Sequence, residues 1–270
     1  GKGVVVTGAG GAICGGMARA FAQAGAKVAA LNRSVDKVNA LADELAAEGF
    51  ICKGYGVDVT NKEALEAVHL AVLNDLGPCD ILINGAGGNH PSATTDNEYQ
   101  HEAWDGCKTF FDLSTDGVDS VFALNFQGTL LPTQVFAQDM LDKEDASIIN
   151  ISSMNAFTPL TKIPAYSAAK AGISNFTHWL AVHFAPCNIR CNAIAPGFFV
   201  TNQNRTLLFT EDGQPTARTG KILSATPMNK FGEISDLIGC LLWLACDEAS
   251  GFVTGSIIPV DGGFSAYSGV

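Results

Sequence analysis

The sequence predicts an α/β fold, a doubly wound parallel β-sheet with helices on both faces, and three observations carry that expectation. Short β-branched or apolar runs alternate with helical patterns along all 270 residues, as right-handed βαβ crossovers require. The first run enters a glycine-rich turn, "TGAGGAICGG", and a helix follows at once. No internal repeat, low-complexity tract or composition break marks a linker, so one domain is expected over residues 1–270.

Strand signals fall at residues 4–7, 27–31, 51–57, 81–84, 147–152, 189–195 and 256–260. Helical patterns lie between them at 13–24, 35–47, 62–75, 118–141, 165–184 and 234–246. The second helix shows the basis: Val38, Leu41, Ala42 and Leu45 recur at helical spacing, while Asp43, Glu44 and Glu48 face water. Two stretches, 87–115 and 197–231, are long and irregular apart from a short helical signal near 205–209. Each follows the carboxyl end of a strand, where ligands bind in open α/β sheets. Both therefore read as substrate loops.

Hydrophobic residues make up 47 % of the chain and charged ones 16 %, enough for a large core and against a disordered chain. The net charge of −11 disfavours nucleic acid and anionic membranes as partners by repulsion. No apolar run approaches the ~20 residues of a membrane helix. The chain enters a strand almost at once, with no signal peptide ahead of it, so a cytoplasmic protein is expected. Eight scattered cysteines without a C-x-x-C pair fit buried free thiols, and no metal site is expected.

In the first turn Gly8, Gly10 and Gly11, with Ala12 and Ile13 opening the helix, offer a pyrophosphate close backbone approach and free N–H groups. Alone this signal is weak, because G-x-G-x-x-G is incomplete and a ligand-free turn reads the same way. The stretch "NISSMNAFTPLTKIPAYSAAK" is more specific. Tyr166 and Lys170, four apart, share a helix face, and Ser153 ends a strand thirteen residues before Tyr166. A phenol is a poor acid or base at neutral pH, and a neighbouring ammonium draws its pKa toward the working range. Ser153 can donate to a carbonyl oxygen as charge develops on it. Tyr-x-x-x-Lys alone is an ordinary helix-surface pair; the serine and the glycine turn make it a constellation for carbonyl reduction.

Together with "DV" at 58–59, "NGAG" at 84–87, "LNFQG" around Asn125, "IRCNAIAPG" at 189–197 and "VDGG" at 260–263, these motifs resemble the short-chain dehydrogenase/reductase family over essentially the whole chain. The resemblance implies a Rossmann-type fold that binds NAD(H) or NADP(H), and a catalytic tetrad of Asn125, Ser153, Tyr166 and Lys170. Tyr166 would exchange the proton with the substrate oxygen, which Ser153 holds. Lys170 would bind the nicotinamide ribose and lower the Tyr166 pKa, and Asn125 would hold a water leading to Lys170. Further cofactor contacts are implied for Asn32, Arg33, Asp58, Val59, Asn84, Ala86, Gly87, Pro196, Gly197 and Thr201. A homotetramer packed through the helices at 118–141 and 165–184 is implied as well. Two departures stand out: Ala12 and Cys14 replace the last two glycines of the family's usual first motif, and Gly85 replaces an asparagine of N-N-A-G. Cys14 is small, and Gly15 and Gly16 are expected to let the helix pack on the sheet, so the turn reads as a working variant.

The long loops and tail, in stretches such as "APGFFVTNQNRTLL" and "VDGGFSAYSGV", further resemble a D-mannonate oxidoreductase (fructuronate reductase) subgroup. That resemblance implies a sugar-acid substrate, which wants one cation and several amide or hydroxyl partners. Asn89, His90, Ser153, Asn155, Lys162, Phe198, Gln203, Asn204 and Arg205 are the expected lining. Arg205 is the first choice for the carboxylate because its planar fork binds bidentately; Lys162 is second. Arg33 stands where an acidic residue would bind ribose hydroxyls, which suits a 2′-phosphate and NADP(H). The subgroup's activity goes with NAD(H), so both cofactors stay open. Another polyol or aldonate dehydrogenase, resembling gluconate 5-dehydrogenase, is the alternative, and a non-catalytic nucleotide-binding protein is the more distant one.

Overall fold

A computed structural model describes residues 1–98, 106–201 and 204–269. Seven strands, β1 (Gly3–Thr7), β2 (Lys27–Asn32), β3 (Cys52–Gly56), β4 (Ile81–Asn84), β5 (Ala146–Ile151), β6 (Ile189–Pro196) and β7 (Ile257–Val260), form one sheet. All pair in parallel, in the order β3-β2-β1-β4-β5-β6-β7. β1, β4, β5 and β6 are buried along their whole lengths, which is why they read as apolar runs rather than alternating ones. The order reverses between β1 and β4, and the crevice above their carboxyl ends is the switch point where such sheets bind ligands.

The helices are α1 (Ala12–Gln23), α2 (Val35–Ala47), α3 (Lys62–Asp75), α4 (Thr115–Phe122), α5 (Gly128–Phe136), α6 (Pro164–Phe184), α7 (Arg205–Leu208), α8 (Ala217–Ser224), α9 (Ile234–Ala245) and α10 (Asp247–Ser250). One core gathers Met17, Phe21, Val38, Leu45, Leu237 and Leu241 from α1, α2 and α9. The other, on the opposite face, gathers Leu65, Val72, Val135, Phe136 and Leu180 from α3, α5 and α6. Gly25, Gly49 and Gly77 follow α1, α2 and α3 with φ of +85°, +88° and +97°. Each ends its helix in the left-handed conformation that glycine adopts without penalty, and the chain turns back into the sheet.

Two expectations about helices are corrected. Residues 118–141 are not one helix: α4 passes through a π-turn at Ala123–Gln127 into α5, which ends in a 3₁₀ turn at Ala137–Met140. Pro132 lies inside α5 and removes one helical N–H donor, and the apolar periodicity simply runs across the break. Within 197–231 the structure adds α8, started by Thr216, whose side chain accepts from the Thr219 N–H. An amide tie between the central strands runs through Asn84. Asn84 Nδ2 donates to Asn150 Oδ1 and to Thr133 Oγ1, both at 2.9 Å, and Asn150 Nδ2 donates to Thr177 Oγ1 at 2.9 Å. A glycine at 85 therefore leaves that tie intact.

All eight cysteines are free; Cys14, Cys79 and Cys191 are buried and the others half-buried. Among the described residues no cluster of metal-ligating side chains occurs, and no helix is long and apolar enough to cross a membrane.

Candidate active site

The glycine turn lies at the switch point. Gly8 takes φ +72°, and a Cβ there would stand 2.9 Å from the Ala86 backbone, so two chain segments touch at that point. Gly11 N–H donates to Gly8 O at 2.9 Å, closing the turn. α1 begins without a side-chain cap or an acidic residue in its first turn. Its first N–H groups have no partner within the helix and suit an anion. Ala12 is exposed at that end. Gly16 serves a different purpose from the one expected, since a Cβ there would meet Ile234 of α9 at 2.4 Å. It lets two helices approach, not a helix and the sheet.

The Asn32 side chain covers Gly10, and its Nδ2 donates to Ser34 O at 3.2 Å. Arg33 is exposed. Hydrogen bonds from the Thr60 hydroxyl and N–H, helped by the Arg33 guanidinium, hold the Asp58 carboxyl below the usual carboxylate range. Val59 is buried and packs on Gly128. Asn84, expected at the cofactor, turns its side chain into the sheet, which leaves its backbone for any contact there.

At the end of β4, Thr7 Oγ1 accepts from the N–H groups of Gly85 (3.0 Å) and Ala86 (3.2 Å). Gly87 lies between two of the expected site residues: a Cβ on it would be 2.7 Å from Asn125 Oδ1 and 3.1 Å from Lys170 Nζ. Asn125 sits in the π-turn, a distortion that concentrates at functional sites. Its amide grips Gly88 from both sides, accepting from the N–H at 3.2 Å and donating to the carbonyl at 2.7 Å. It also donates to Val121 O at 2.7 Å. The Asn125 side chain is thus a clamp on the loop that leaves β4.

Ser153, just past β5, accepts from the Asn155 N–H at 3.3 Å and hydrogen-bonds to Tyr166 on α6. Lys170, one turn further along α6, is buried, with Nζ donating to Ile151 O at 2.8 Å and lying 5.6 Å from the Tyr166 ring centroid. The pKa expectation for Tyr166 is corrected. Burial pushes its phenol up to about 12, partly opposed by the Ser153 hydrogen bond. Lys170, pointed at the Ile151 carbonyl, does not lower it here. Burial also draws the Lys170 ammonium down to about 8, with the Cys14 thiol a small opposing influence.

The expected substrate residues divide. Asn89 Nδ2 donates to Thr94 Oγ1 at 2.7 Å. His90 Nδ1 faces both the Ser92 N–H and hydroxyl, at 3.3 and 2.6 Å, so Nε2 is the atom left to face outward. Lys162 Nζ donates to the Asp96 carbonyl, which ties two loop segments together and weakens its candidacy for a carboxylate. Arg205, at the start of α7, is exposed, with its guanidinium 5.6 Å from the Phe209 ring centroid. Asn204 closes its own turn, accepting from Thr201 N–H and donating to Phe199 O, both at 2.8 Å. Asn155 is buried beside Ser153, and Gln203 lies outside the described residues. At the end of β6, Pro196 is buried and Gly197 N–H donates to Val260 O at 3.0 Å. A Cβ on Gly197 would stand 2.6 Å from the Asp261 backbone, so only glycine fits.

The carboxyl-terminal turn is a part of the site that the sequence reading missed. Phe264–Ala266 packs on Met154–Ala156, and the Phe264 ring meets Phe198 edge-on at 5.3 Å. Asp261 shapes that turn by accepting from Gly263 and Ser265 N–H groups at 2.9 and 2.8 Å. In sequence, "VDGGFSAYSGV" enters only through the family and subgroup resemblances, and no residue of it is among the expected lining. A cavity of about 230 Å³ adjoins it, lined by Phe198, Thr226, Met228 and Asp261 among others.

One strand-end crevice therefore holds an uncapped helix N-terminus and, further along, a serine, a tyrosine and a buried lysine. The sequence profile of the short chain dehydrogenase family matches residues 2–211. The chain belongs to the short-chain dehydrogenase family. As in that family of oxidoreductases generally, the sheet is parallel and flanked by helices. An uncharacterized oxidoreductase of Haemophilus influenzae is 55 % identical over 268 residues, covering 99 % of this chain and 94 % of the relative. The crystal structure of a provisionally assigned D-mannonate oxidoreductase from Haemophilus, with bound NAD, superposes with a TM-score of 0.97 at 55 % identity. That match covers 100 % of this chain and 96 % of the other. A gluconate 5-dehydrogenase of Burkholderia cenocepacia, in complex with NADP and tartrate, superposes with a TM-score of 0.84 at 27 % identity. There the coverage is 99 % of this chain and 96 % of the other.

Proposed function

We propose that this single-domain dehydrogenase interconverts a hydroxy sugar acid and its keto acid, D-mannonate and D-fructuronate, with NAD(H) or NADP(H). The reading rests on the convergence of Ser153, Tyr166 and Lys170 beside Gly87 and Asn125 at the carboxyl ends of β4 and β5. The sugar-acid assignment is supported by the Haemophilus relative of known structure. The glycine turn suits a dinucleotide: Gly8 and Gly10 leave no room for side chains, and the uncapped α1 N-terminus offers N–H groups to a pyrophosphate. When bound, the nicotinamide supplies the hydride for reduction or takes it in oxidation.

The chain's own residues handle the proton and the geometry. Ser153 and Tyr166 donate to the same substrate oxygen, and in reduction Tyr166 gives up its phenolic proton to it. In oxidation the same proton returns to Tyr166. Lys170 would hold the ribose hydroxyls of the cofactor, and its cation near Tyr166 would ease loss of the phenolic proton. A lysine with a pKa near 8 also exchanges its own proton readily near neutral pH. Asn125 holds the loop after β4 at the edge of this site. Arg205 takes the substrate carboxylate, and Asn89, His90, Asn155 and Phe198 line the remainder. The dehydrogenase forms homotetramers through α5 and α6, where an apolar groove of about 500 Å³ is lined by Leu130, Leu141, Phe176 and Trp179 among others.

A substrate-by-cofactor activity matrix tests the assignment. D-mannonate and D-fructuronate are measured with NAD(H) and NADP(H), beside D-gluconate and 5-ketogluconate. Turnover of the first pair supports the proposal. Turnover confined to the second pair would reassign the protein as a gluconate dehydrogenase, and none with either cofactor would remove the sugar-acid reading.

A further inference from the structure

Two departures from the family's usual motifs, which look independent in sequence, meet in space. A Cβ built on Gly85 would lie 2.2 Å from Cys14 Sγ, an overlap relieved only if the thiol rotates away from Gly85 O or the backbone shifts. It would also stand 3.1 Å from Thr7 O and 3.4 Å from Ile151 Cγ1, so it has nowhere to retreat. The Cys14 thiol donates to Gly85 O at 3.6 Å from a buried position in the first turn of α1. Burial keeps that thiol protonated, with its pKa pushed up to about 11. Two residues beyond Gly85, Gly87 borders both Asn125 and Lys170.

We infer that Cys14 is a positioning residue: its side chain fills the space that a residue-85 side chain would take, and it seats the Gly85–Ala86–Gly87 segment against Lys170. Positions 14 and 85 then form a steric exchange pair in which one of the two carries the bulk. The Thr7 hydroxyl holds the Gly85 and Ala86 N–H groups from below, and the Cys14 thiol holds the Gly85 carbonyl. A shift of a few tenths of an ångström at Gly85 reaches Gly87 and the lysine beside it. The consequence for the cofactor rests on the proposed function above; the steric exchange itself does not.

A double-mutant cycle tests both parts, with Gly85→Ala made in the wild-type and Cys14→Gly backgrounds. Binding of NADH is followed by fluorescence titration, ADP serves as a probe without nicotinamide, and thermal midpoints are recorded alongside. In the wild-type background Gly85→Ala should weaken NADH binding by roughly tenfold or more, the scale of overpacking a filled site. It should weaken ADP binding less. In the Cys14→Gly background the same substitution should have little effect on NADH binding or on the midpoint. Cys14→Ser, which keeps a small donor for Gly85 O, should retain NADH affinity. Equal losses from Gly85→Ala in the two backgrounds would overturn the exchange pair. Equal losses for NADH and ADP would overturn the positioning role. If the wild-type protein binds neither NADH nor ADP, the proposed function fails, and the midpoints alone still decide whether positions 14 and 85 are coupled.

Discussion

Tyr166 sits where its proton is held tightly, because burial outweighs the Ser153 hydrogen bond and leaves the phenol near 12. Proton transfer therefore depends on a cation arriving close to it, and Lys170, one helical turn away, is the buried lysine beside it among the described residues. Tyr166→Phe should lower turnover by about 10²–10⁴-fold, the usual weight of a positioned acid–base group. NADH affinity should stay near that of the wild type, and unchanged turnover would refute the assignment of the proton donor. Lys170 has a second consequence, for stability. Burial lowers its pKa from 10.5 to about 8, so below pH 8 the folded protein bears the full cost of a buried ammonium. Above that pH the native state has lost a proton that the unfolded chain still holds, and the cost fades as pH approaches the ordinary lysine value. Lys170→Met should accordingly raise the thermal midpoint most below about pH 8, with the gain shrinking toward about pH 10. A pH-independent gain would contradict it. At the other end of the crevice, Arg33→Ala should weaken NADP(H) far more than NAD(H) if Arg33 meets a 2′-phosphate; equal changes would place it elsewhere. Ser153, Tyr166 and Lys170 were legible because helix spacing and a strand end convert directly into distance. Lys162 was not, since its partner is a backbone carbonyl 66 residues away, to which side-chain chemistry gives no clue.

The segment from α4 to α5 shows what an element can hide. Its apolar residues recur smoothly enough to predict one helix over 118–141, yet the π-turn places Asn125 against Gly88. Below that turn, Thr129 and Thr133 hydroxyls donate to the carbonyls of Asn125 and Thr129, at 2.9 and 2.8 Å. Thr133 in turn accepts from Asn84, Asn84 donates to Asn150, and Asn150 donates to Thr177 on α6. A buried polar chain thus runs along one face of the sheet from α5 to α6 through paired positions of β4 and β5. Such chains weigh on stability mainly through the groups left unpaired when one member is removed. Asn150→Ala should cost about 1–3 kcal/mol in unfolding free energy, measured by urea denaturation. A change within error would mean the chain contributes nothing net. Strands and helices of the βα units were readable from periodicity alone. The π-turn was not, because it depends on an amide gripping a loop that periodicity does not register.

At the scale of the whole molecule, the acidic chain leaves one broad apolar face uncovered. Phe176 and Trp179 stack at 6.1 Å and Trp179 stacks on His183 at 4.4 Å along α6, with Trp179 and Val182 exposed. That ladder borders the groove between α5 and α6 and is too large to leave in water without consequence. If the proposed tetramer packs through this face, Val182→Glu should shift the sedimenting species to smaller forms by placing a charge in an apolar contact. A wild-type protein that sediments as a monomer at micromolar concentration would remove the proposed assembly. The remaining face of architectural interest is the one opposite the crevice. The turns at Gly25, Gly49 and Gly77 lie at the amino ends of strands, and a Cβ on any of them would meet nothing within 4 Å. Because every strand runs the same way, the length of the strands separates those turns from Ser153 and Tyr166. The glycines themselves must keep their left-handed conformation, so the exposed residues shortly before two of them, Ala24 and Ala47, are the better attachment points for a tether or dye. Through them the protein can be fixed to an electrode or a bead with its crevice facing outward.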